Sequence, residues 1–513
     1  MIPLLTSQQM RRCDDDTIQN GTPSRTLMER AARTAIDVLF HELTVDQDTK
    51  LVALCGSGNN GGDGFAMARF LWEEGYRVTV CYGGVWSDSQ PDTTRMSPEC
   101  ARQYELWSRV NGKTLDRLPA LSDRTVVIDA LLGIGLDRTI EGKLADWIGQ
   151  VNQSGVPVLA VDIPSGVCAD TGRVLGCAIR ATATATIATP KIGLLLYPAT
   201  AYVGKLAVCD IGIPTNVLGD EIDHWYVTPT DLTALPPRPV QGHKGTFGRV
   251  LVIGGASGMV GAPYFAAKTA YRAGVGLVEV MTHPDNRISI QTLLPEALYT
   301  PFAEDGMMSD PEVSAVLARA DAVVLGCGLG TSDRARTLTG QILRLCDKPL
   351  VVDADALNLI AAHEPLQAAL KARNAPTVLT PHLGEAARLS GLEVPHIASE
   401  PIATAHALAN QHNAVCVLKD ARTVVSDGHA AYIQNRGNSG MATGGSGDCL
   451  AGLIGALLCQ YRAAALPTAT LAALGVLIHA MAGDHAAEHL GKHAVMASDL
   501  ADAVGEVLHT LER

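Results

Sequence analysis

The sequence predicts an α/β protein of two domains, each built on a parallel β-sheet that helices cover. At 513 residues, the chain is too long for one ordinary hydrophobic core. Short apolar runs alternate with helical stretches in both halves, which is the pattern of parallel strands joined by helices. Each half also contains one glycine-rich loop beside a predicted helix, at residues 56–64 and 437–448.

In the first half, the spacing of apolar residues predicts one long helix over residues 17–40. The strands after it are predicted from short apolar runs at 51–55, 78–81, 125–129, 157–162, 184–188 and 205–210. A cluster of prolines at 229, 236, 237 and 239 then indicates a linker. We therefore place the boundary near 225–240 and the two domains at 1–225 and 226–513.

After the linker the alternating pattern restarts. Strands are predicted at 249–253, 277–281, 322–325, 350–353, 377–379 and 415–418, and a helix from 448 to about 461. No repeat of fixed period relates the halves. The two glycine-rich loops, which differ in composition, are therefore expected to serve two different active sites.

Composition excludes several classes of function. The formal net charge is −13 and only 4% of residues are aromatic, so the chain would repel nucleic-acid backbones and offers few stacking surfaces. No secretory signal or bilayer-length apolar run is evident. The twelve cysteines are scattered without metal-ligand spacing. We expect a reduced, cytoplasmic homo-oligomer that acts on small molecules, with no nucleic-acid or membrane partner.

The first loop, GSGNNGGDG, is predicted to follow a strand and to precede a helix over 65–74. Ligands of open parallel sheets bind at such strand ends, beside helix N-termini. The side-chain carbonyls of Asn59 and Asn60 suit an alkali cation or a ribose, and Asp63 is expected to begin the helix. A simple dinucleotide loop or helix cap is the alternative, although NNGGDG is more restrictive than a general glycine pattern.

Two aspartates in the same half end predicted strands. Asp129 precedes a glycine turn, and Asp162 lies in VDIPSG with Ser165. Each could be only a cap for the following helix. Alternatively, they could converge on one crevice, share a monovalent cation and provide a base.

Together GSGNNGGDG, DALLGIGL and VDIPSG resemble the epimerase family that acts on hydrated NADH and NADPH, over about residues 1–225. The resemblance implies a Rossmann-like three-layer sandwich and a K⁺ ion held by Asn60, Asp129 and Ser165. We interpret Asp162 as the epimerising base, with anchoring of a ribose as the alternative role. The implied substrate-binding residues are Asn59, Asn60, Gly61, Gly62, Asp63, Gly133, Ile134, Gly135, Leu136, Asp137, Arg138, Thr139 and Asp162.

In the second half, GGSGD opens a predicted helix. The backbone amides of its glycines can hold a phosphoryl group, and Asp448 can accept a proton from a hydroxyl that is being phosphorylated. Lys419 and Arg422 are the expected cations for nucleotide phosphates. A purely structural helix cap is the alternative, but a cap does not need so many glycines.

This half resembles the ribokinase-like superfamily and, within it, the nucleotide-dependent NAD(P)H-hydrate dehydratases, through GCGLG, DADALN, TPHLGE and GGSGD over about 230–505. The resemblance implies ADP as the nucleotide, Mg²⁺ with its phosphates, and Asp448 as the catalytic base. It also implies contacts to the hydrated dinucleotide from Ala262, Gly328, His382 and Asp448, and contacts to the adenine nucleotide from Lys419, Asp420, Ala421, Arg422, Thr423 and Gly447.

The chain departs from the family pattern at three positions. Cys327 and Leu383 stand where the family commonly has proline, and Asp420 stands where it has glycine. A carboxylate at 420 would weaken nucleotide binding if it pointed inward, but we expect it to face solvent. Asp353 and Asp355 could equally shape the substrate crevice or cap a helix.

The sequence therefore predicts a bifunctional metabolite-repair enzyme. Its first domain would interconvert the R and S hydrates of NADH and NADPH (NADHX and NADPHX). Its second domain would dehydrate the S form with ADP and release AMP and phosphate. A vitamin-type kinase of ribokinase fold fused to a nucleotide-binding domain is the enzyme alternative. A nucleotide-sensing protein with decayed sites is the non-enzyme alternative.

Overall fold

The computed structural model describes residues 1–302 and 308–512. The chain divides into two compact units, one formed by Ile2–His224 and the other by the residues from Trp225 onward together with Met1. Both are α/β units with large, mainly parallel sheets, so the predicted fold class is confirmed.

The N-terminal unit is a three-layer sandwich around a parallel sheet of order β10-β9-β8-β7-β2-β3-β6. Separate apolar clusters cover its two faces. The strands of the unit are β1 (Ile2–Pro3), β2 (Lys50–Cys55), β3 (Arg77–Tyr82), β4 (Trp86–Ser87), β5 (Gln90–Pro91), β6 (Thr114–Leu115), β7 (Thr125–Ala130), β8 (Val158–Val161), β9 (Ala183–Ile187) and β10 (Lys205–Cys209). Its helices are α1 (Ser7–Gln19), α2 (Ser24–Glu42), α3 (Asn59–Glu73), α4 (Pro98–Arg109), α5 (Lys143–Ser154) and α6 (Thr200–Val203).

The prediction of one helix over 17–40 is wrong, because the chain forms α1 and α2 with a break between them. Gly21 adopts a φ of +103°, which lies outside the helical range, and Pro23 caps α2. α1 begins earlier than expected because Thr6 and Gln9 form a reciprocal capping box.

The start of the helix after the first glycine loop also differs from the prediction. α3 begins at Asn59, so NNGGD forms its first turns instead of a preceding loop. The glycines permit this because the backbones are very close: a Cβ on Gly61 would lie 2.0 Å from the Gly56 carbonyl oxygen. Asp63 therefore lies inside the helix and not at its first residue.

The C-terminal unit has a larger sheet, in which β18-β17-β16-β15-β12-β13-β14 are parallel and β20-β19 extend β18 in antiparallel fashion. The sequence prediction missed β14 and the short β19–β20 hairpin. The strands are β11 (His224–Tyr226), β12 (Arg249–Ile253), β13 (Leu277–Thr282), β14 (Leu298–Pro301), β15 (Ala322–Leu325), β16 (Leu350–Val352), β17 (Thr377–Leu379), β18 (Val415–Leu418), β19 (Val424–Ser426) and β20 (Ala431–Ile433).

The helices of this unit include α16, which is buried from Cys449 to Cys459 and packs on α7 and on the central strands. Gly452 allows that approach, since a Cβ there would lie 2.1 Å from the Ala266 carbonyl oxygen. The helices are α7 (Gly261–Arg272), α8 (Arg287–Leu293), α9 (Asp310–Leu317), α10 (Asp333–Leu345), α11 (Ala354–Ala362), α12 (Glu364–Lys371), α13 (Leu383–Ser390), α14 (Val394–Ser399), α15 (Pro401–His412), α16 (Ser446–Gln460), α17 (Thr468–Leu490) and α18 (Ala497–His509).

Candidate active sites

A cavity of about 970 Å³ opens at the carboxyl ends of the strands in the N-terminal unit. Its lining comes from α1, from the glycine loop before α3, from the turn after β7 and from the ends of β8 and β9. Parallel strands present their carboxyl ends at one edge, where open α/β sheets bind ligands. The cavity includes these residues predicted for the first site: Asn59, Asn60, Asp63, Gly133, Ile134, Gly135, Leu136, Asp137, Arg138 and Asp162.

Three predicted residues are not among those that line the cavity: Gly61, Gly62 and Thr139. The first two are buried within α3, where a Cβ on Gly62 would lie 2.7 Å from the Met28 methyl carbon. Their contribution is close packing, which brings the helix N-terminus against the strand ends.

The residues implied to hold K⁺ lie together beneath this cavity. The Ser165 hydroxyl donates to Asp129 Oδ1 at 2.6 Å, and its backbone N–H donates to Asp129 Oδ2 at 2.8 Å. Asn60 joins them through Leu132: its Nδ2 donates to the Leu132 carbonyl at 3.0 Å, and the Leu132 N–H donates to Ser165 Oγ at 2.9 Å.

Two features of this cluster fit a monovalent cation. Among the described residues, the buried Oδ1 of Asn60 has no hydrogen-bond partner. Asp129 is fully buried, and burial raises the pKa of its carboxyl group to about 6, against the hydrogen bonds from Ser165. A bound cation would satisfy the unpaired oxygen and offset the charge of the buried carboxylate, and oxygen donors are what K⁺ accepts.

Lys191, which the sequence analysis did not single out, holds Asp162 in place. Its side chain is 1% exposed, and its ammonium group donates to Asp162 Oδ1 and, at 2.8 Å, to the Ile187 carbonyl. The Ile187 N–H donates to the same Asp162 oxygen at 3.1 Å. Asp162 has a φ of +66°, a conformation that non-glycine residues seldom adopt.

Asp14 on α1 was also missed, although it lines the cavity beside Asp63, Asp162 and Lys191. Burial, with the nearby charge of Asp162, raises the pKa of Asp14 to about 6, and Lys191 partly opposes that rise. Burial and the charges of Asp162 and Asp14 raise the pKa of Asp63 well above its ordinary value. Perturbed carboxyl groups in a cleft are typical of catalytic sites.

In the C-terminal unit, the second glycine loop ends at the N-terminus of α16. Gly445 caps that helix with a φ of +94°, and a Cβ there would lie 2.7 Å from the Phe265 ring. Asp448 follows in the first turn of the helix. The free N–H groups of this turn and the positive end of the helix dipole favour an anion.

Asp448 belongs to a cluster that converges from four strand ends and this helix. Its carboxylate, the carboxylate of Asp353 and the Cys327 thiol have ligand atoms within 4.8 Å of one another. Lys419 Nζ donates to Asp353 Oδ1 at 2.8 Å, and the Thr380 hydroxyl donates to the same oxygen at 2.8 Å. Asp353 is the N-cap residue of α11, but its side chain makes no capping hydrogen bond and belongs instead to this cluster.

The charge state of Asp448 follows from these neighbours. Burial raises the pKa of its carboxyl group to about 6, and the Asp353 charge adds to the rise. A hydrogen bond from the Cys327 thiol and the charge of Lys419 oppose it. A carboxyl group with this pKa is suited to accept a proton near neutral pH.

Of the residues predicted to contact the hydrated dinucleotide, Ala262 and Gly328 lie next to each other, and His382 lies near the cluster that contains Asp448. Gly328 has a φ of +61°, and a Cβ there would lie 3.0 Å from that of Ala262. His382 is exposed and caps α13, accepting from the Gly384 N–H at 2.9 Å. Its backbone pairs with that of Lys419 in a parallel bridge, which brings it to the edge of the Asp353 cluster.

The predicted nucleotide-binding segment, residues 419–423, leaves β18 towards the N-terminus of α16. A Cβ on Gly447 would lie 3.1 Å from Lys419 Nζ, so these two predicted residues are neighbours. Asp420 is exposed, as expected from the sequence, and so is Ala421. Arg422 Nη1 donates to the Arg436 carbonyl at 3.3 Å.

Family models match both units. A model described as YjeF-related protein N-terminus matches residues 24–193, and one described as NAD(P)H-hydrate dehydratase matches residues 250–505.

Curated relatives match this chain across both of its units. A bifunctional NAD(P)H-hydrate repair enzyme of Coxiella burnetii is 36% identical over 98% of this chain and 98% of its own length. One of Escherichia coli (strain K12) is 34% identical over 89% of this chain and 85% of its own. Among solved structures, an ADP/ATP-dependent NAD(P)H-hydrate dehydratase from Bacillus subtilis, co-crystallised with ATP and Mg²⁺, is 27% identical. The match covers 55% of this chain and 97% of the Bacillus subtilis chain, with a TM-score of 0.47.

Proposed function

Because this chain belongs to the family of bifunctional NAD(P)H-hydrate repair enzymes, we propose that its two sites divide the repair between them. The epimerase and dehydratase activities that the sequence predicted are confirmed at the level of the family. The N-terminal domain, residues 1–225, would interconvert the R and S hydrates. The C-terminal domain, residues 226–513, would dehydrate the S hydrate.

In the epimerase site, the large cavity would hold the hydrated dinucleotide against the N-terminus of α3. The K⁺ ligands would be Asn60, Asp129 and Ser165, supported by the unpaired Asn60 oxygen and the buried Asp129 charge. K⁺ there would supply a fixed positive charge beside the substrate. Asp162 is the catalytic carboxylate of this proposal, positioned by Lys191.

In the dehydratase site, the helix N-terminus and Lys419 would hold the phosphates of ADP. Asp448 would take the proton from the ring hydroxyl as the phosphoryl group is transferred to that oxygen. Departure of phosphate, together with loss of a proton from the neighbouring ring carbon, then restores the double bond of NAD(P)H, leaving AMP and phosphate as products. Mg²⁺ takes oxygen ligands and is usually bound by one or two carboxylates together with waters and phosphates. The carboxylate of Asp353 would therefore be a sufficient protein ligand for Mg²⁺ at this site.

The observation that carries this assignment is the placement of Asp448, whose carboxyl pKa is about 6, at an anion-binding helix N-terminus. The test is recovery of the reduced-nicotinamide absorbance band from hydrated NADH. Wild-type protein with ADP and Mg²⁺ should restore the band, and Asp448→Asn should not. No recovery with either ADP or ATP would refute the proposed nucleotide-dependent reaction.

We also propose a cytoplasmic homo-oligomer. Each of the twelve cysteines is a free thiol, which is common in proteins of reducing compartments. Within the described parts of the chain, no helix has the length and apolar character to cross a membrane. Fractionation of cells and light scattering of the purified protein test the two statements separately.

A further inference from the structure

The epimerase cavity contains more ionisable groups than the predicted catalytic residue. The cavity lining includes the charged residues Asp15, Asp137, Arg11, Arg95 and Arg138. Asp14, Asp63 and Asp162 also line it, and they lie close enough to Lys191 for the charges of these four groups to interact. They come from α1, α3, the end of β8 and the loop after β9. Burial and the neighbouring carboxylates raise the pKa of both Asp14 and Asp63, and among the described residues Lys191 is the cation that opposes this, so the site favours keeping a proton on at least one carboxyl group.

Lys191 is committed to Asp162. Besides Asp162 Oδ1 and the Ile187 carbonyl, its ammonium group donates to the Thr186 hydroxyl at 3.3 Å. All three N–H bonds of the ammonium group are therefore used, and the buried side chain has no freedom to turn towards another carboxyl group. Asp162 is thus held as the negative partner of a fixed ion pair.

Asp14 differs from Asp162 in these respects. It is half-buried in the wall of the cavity, and no group in residues 1–302 or 308–512 donates a hydrogen bond to its carboxyl group. The charged groups around it are Arg11 and Asp15 on α1, Asp63 on α3, Asp162 and Lys191. A carboxyl group without a fixed partner, in a crowded acidic cavity, is free to exchange its proton with a ligand.

We propose that Asp14 is a catalytic acid–base residue of the epimerase site, which carries the proton to and from the substrate's ring hydroxyl. Asp162, fixed by Lys191, would supply the negative charge that stabilises a cationic ring. This inference rests on the proposed epimerase function and names a residue that the sequence analysis did not.

In this reaction Asp14 acts first as an acid and then as a base. In a hydrate whose hydroxyl lies on the carbon next to the ring nitrogen, protonated Asp14 gives its proton to the hydroxyl oxygen. The C–O bond breaks, water leaves, and the nitrogen lone pair forms a C=N bond. Water then adds to the other face, the C=N pair returns to nitrogen, and the Asp14 carboxylate accepts the proton that water loses.

The pH dependence follows from this role. Because the pKa of Asp14 is raised to about 6, its protonated form persists to higher pH than in an ordinary aspartate and declines above pH 6. The enzymatic epimerisation rate should therefore fall as pH rises from 6 to 8, once the rate without enzyme has been subtracted.

The experiment uses the full chain and purified S hydrate without ADP, so that only epimerisation is observed, by chiral chromatography of the R and S forms. Asp14→Asn should lower this rate by about 10²-fold or more, and Asp14→Glu should restore part of it. Asp16→Asn is the matched control, since Asp16 lies on the same helix and bonds to Asn20 outside the cavity. The thermal unfolding transition of the N-terminal unit, compared with that of the wild type, reports whether each variant is folded.

The outcomes separate this inference from the proposed function. Wild-type protein without epimerisation above background would refute the epimerase assignment itself. Wild-type activity with an Asp14→Asn rate within about threefold of it would overturn the role of Asp14 alone. So would an Asp14→Asn variant whose residual rate keeps the wild-type pH profile, because a structural residue would give that result.

Discussion

Two helices, α3 at Asn59 and α16 at Ser446, begin after glycine-rich segments. Their surroundings nevertheless favour ligands of opposite charge. In the first, aspartates from α1, α3 and the end of β8 lie near Lys191, and among the described residues the Asn60 side-chain oxygen has no hydrogen-bond partner. In the second, the capping glycine at 445 has a left-handed conformation and Lys419 lies beside the turn. The first arrangement favours a cation and proton exchange, whereas the second favours a phosphate.

The helix dipole alone does not decide which ligand each of these two sites favours. Both helices start with free N–H groups, so both ends are weakly positive. The two sites differ in which element provides the proposed catalytic carboxylate. Asp162 comes from another strand and is fixed by Lys191, whereas Asp448 belongs to the helix itself and is near Lys419 and Asp353.

The largest expected effect separates the two sites. Asp448→Asn should lower dehydratase activity by about 10²–10⁴-fold, since it removes the base, and leave epimerisation unchanged. Asp162→Asn should lower epimerisation and leave dehydratase activity unchanged, because Lys191 loses its charged partner in the epimerase site. Chromatography of the R and S hydrates and recovery of the nicotinamide absorbance measure the two activities. A variant that lost both equally would contradict two independent sites.

Removal of the cation is the next largest effect, and it should be confined to the N-terminal site. At about a hundredfold excess over its Kd, K⁺ should stabilise the folded unit by about 2.7 kcal/mol relative to tetramethylammonium at equal ionic strength. Thermal unfolding measures this. Asp129→Asn should abolish the difference, and Asp123→Asn, an exposed control, should preserve it. An equal response in Asp129→Asn would contradict the K⁺ site.

Much of this architecture was predictable, because buried parallel strands appear in the sequence as short apolar runs. β12, β15, β17 and β18 have the predicted limits. The aspartates at strand ends were visible for the same reason. The break between α1 and α2 was missed, although Gly21 and Pro23 signalled it.

Asp14 and Lys191 could not be assigned from the sequence because their roles depend on tertiary contacts. Asp14 stands in a run of three aspartates, which suggests a solvated helix face. Lys191 precedes an apolar stretch, and a lysine in that position indicates a functional site only when its ion-pair partner is known. Burial beside Asp162 gives it one, and that pairing joins segments 29 residues apart.

The third prediction uses pH to contrast the sites. Burial raises the pKa of Asp448 to about 6, and the base must be ionised, so dehydration should increase as pH rises through 6 and level off above 7. At pH 5 the rate should be about tenfold lower than the plateau. Initial rates at saturating ADP and Mg²⁺ test this. A flat profile from pH 5 to 8 would contradict Asp448 as the base.

A smaller effect is expected from Cys327, whose thiol belongs to the Asp448 cluster. Its thiol hydrogen bond favours the charged form of Asp448, so Cys327→Ala should raise that pKa and move the acidic limb to higher pH by a fraction of a unit. The plateau rate should stay within about threefold. Cys459→Ala, at another buried thiol, is the control. An unmoved limb would show that the thiol only packs.

The smallest effect concerns Asp420, the carboxylate beside the nucleotide segment. Because its side chain is exposed, solvent and salt screen its charge from a bound phosphate. Asp420→Gly should therefore change the Kd for ADP by less than about twofold, whereas Lys419→Met should weaken binding strongly, since Lys419 lies beside Gly447. Titration calorimetry with ADP and Mg²⁺ compares the two. A large gain in affinity for Asp420→Gly would mean that the carboxylate faces the phosphates, and the anion site at the N-terminus of α16 would then include an opposing negative charge.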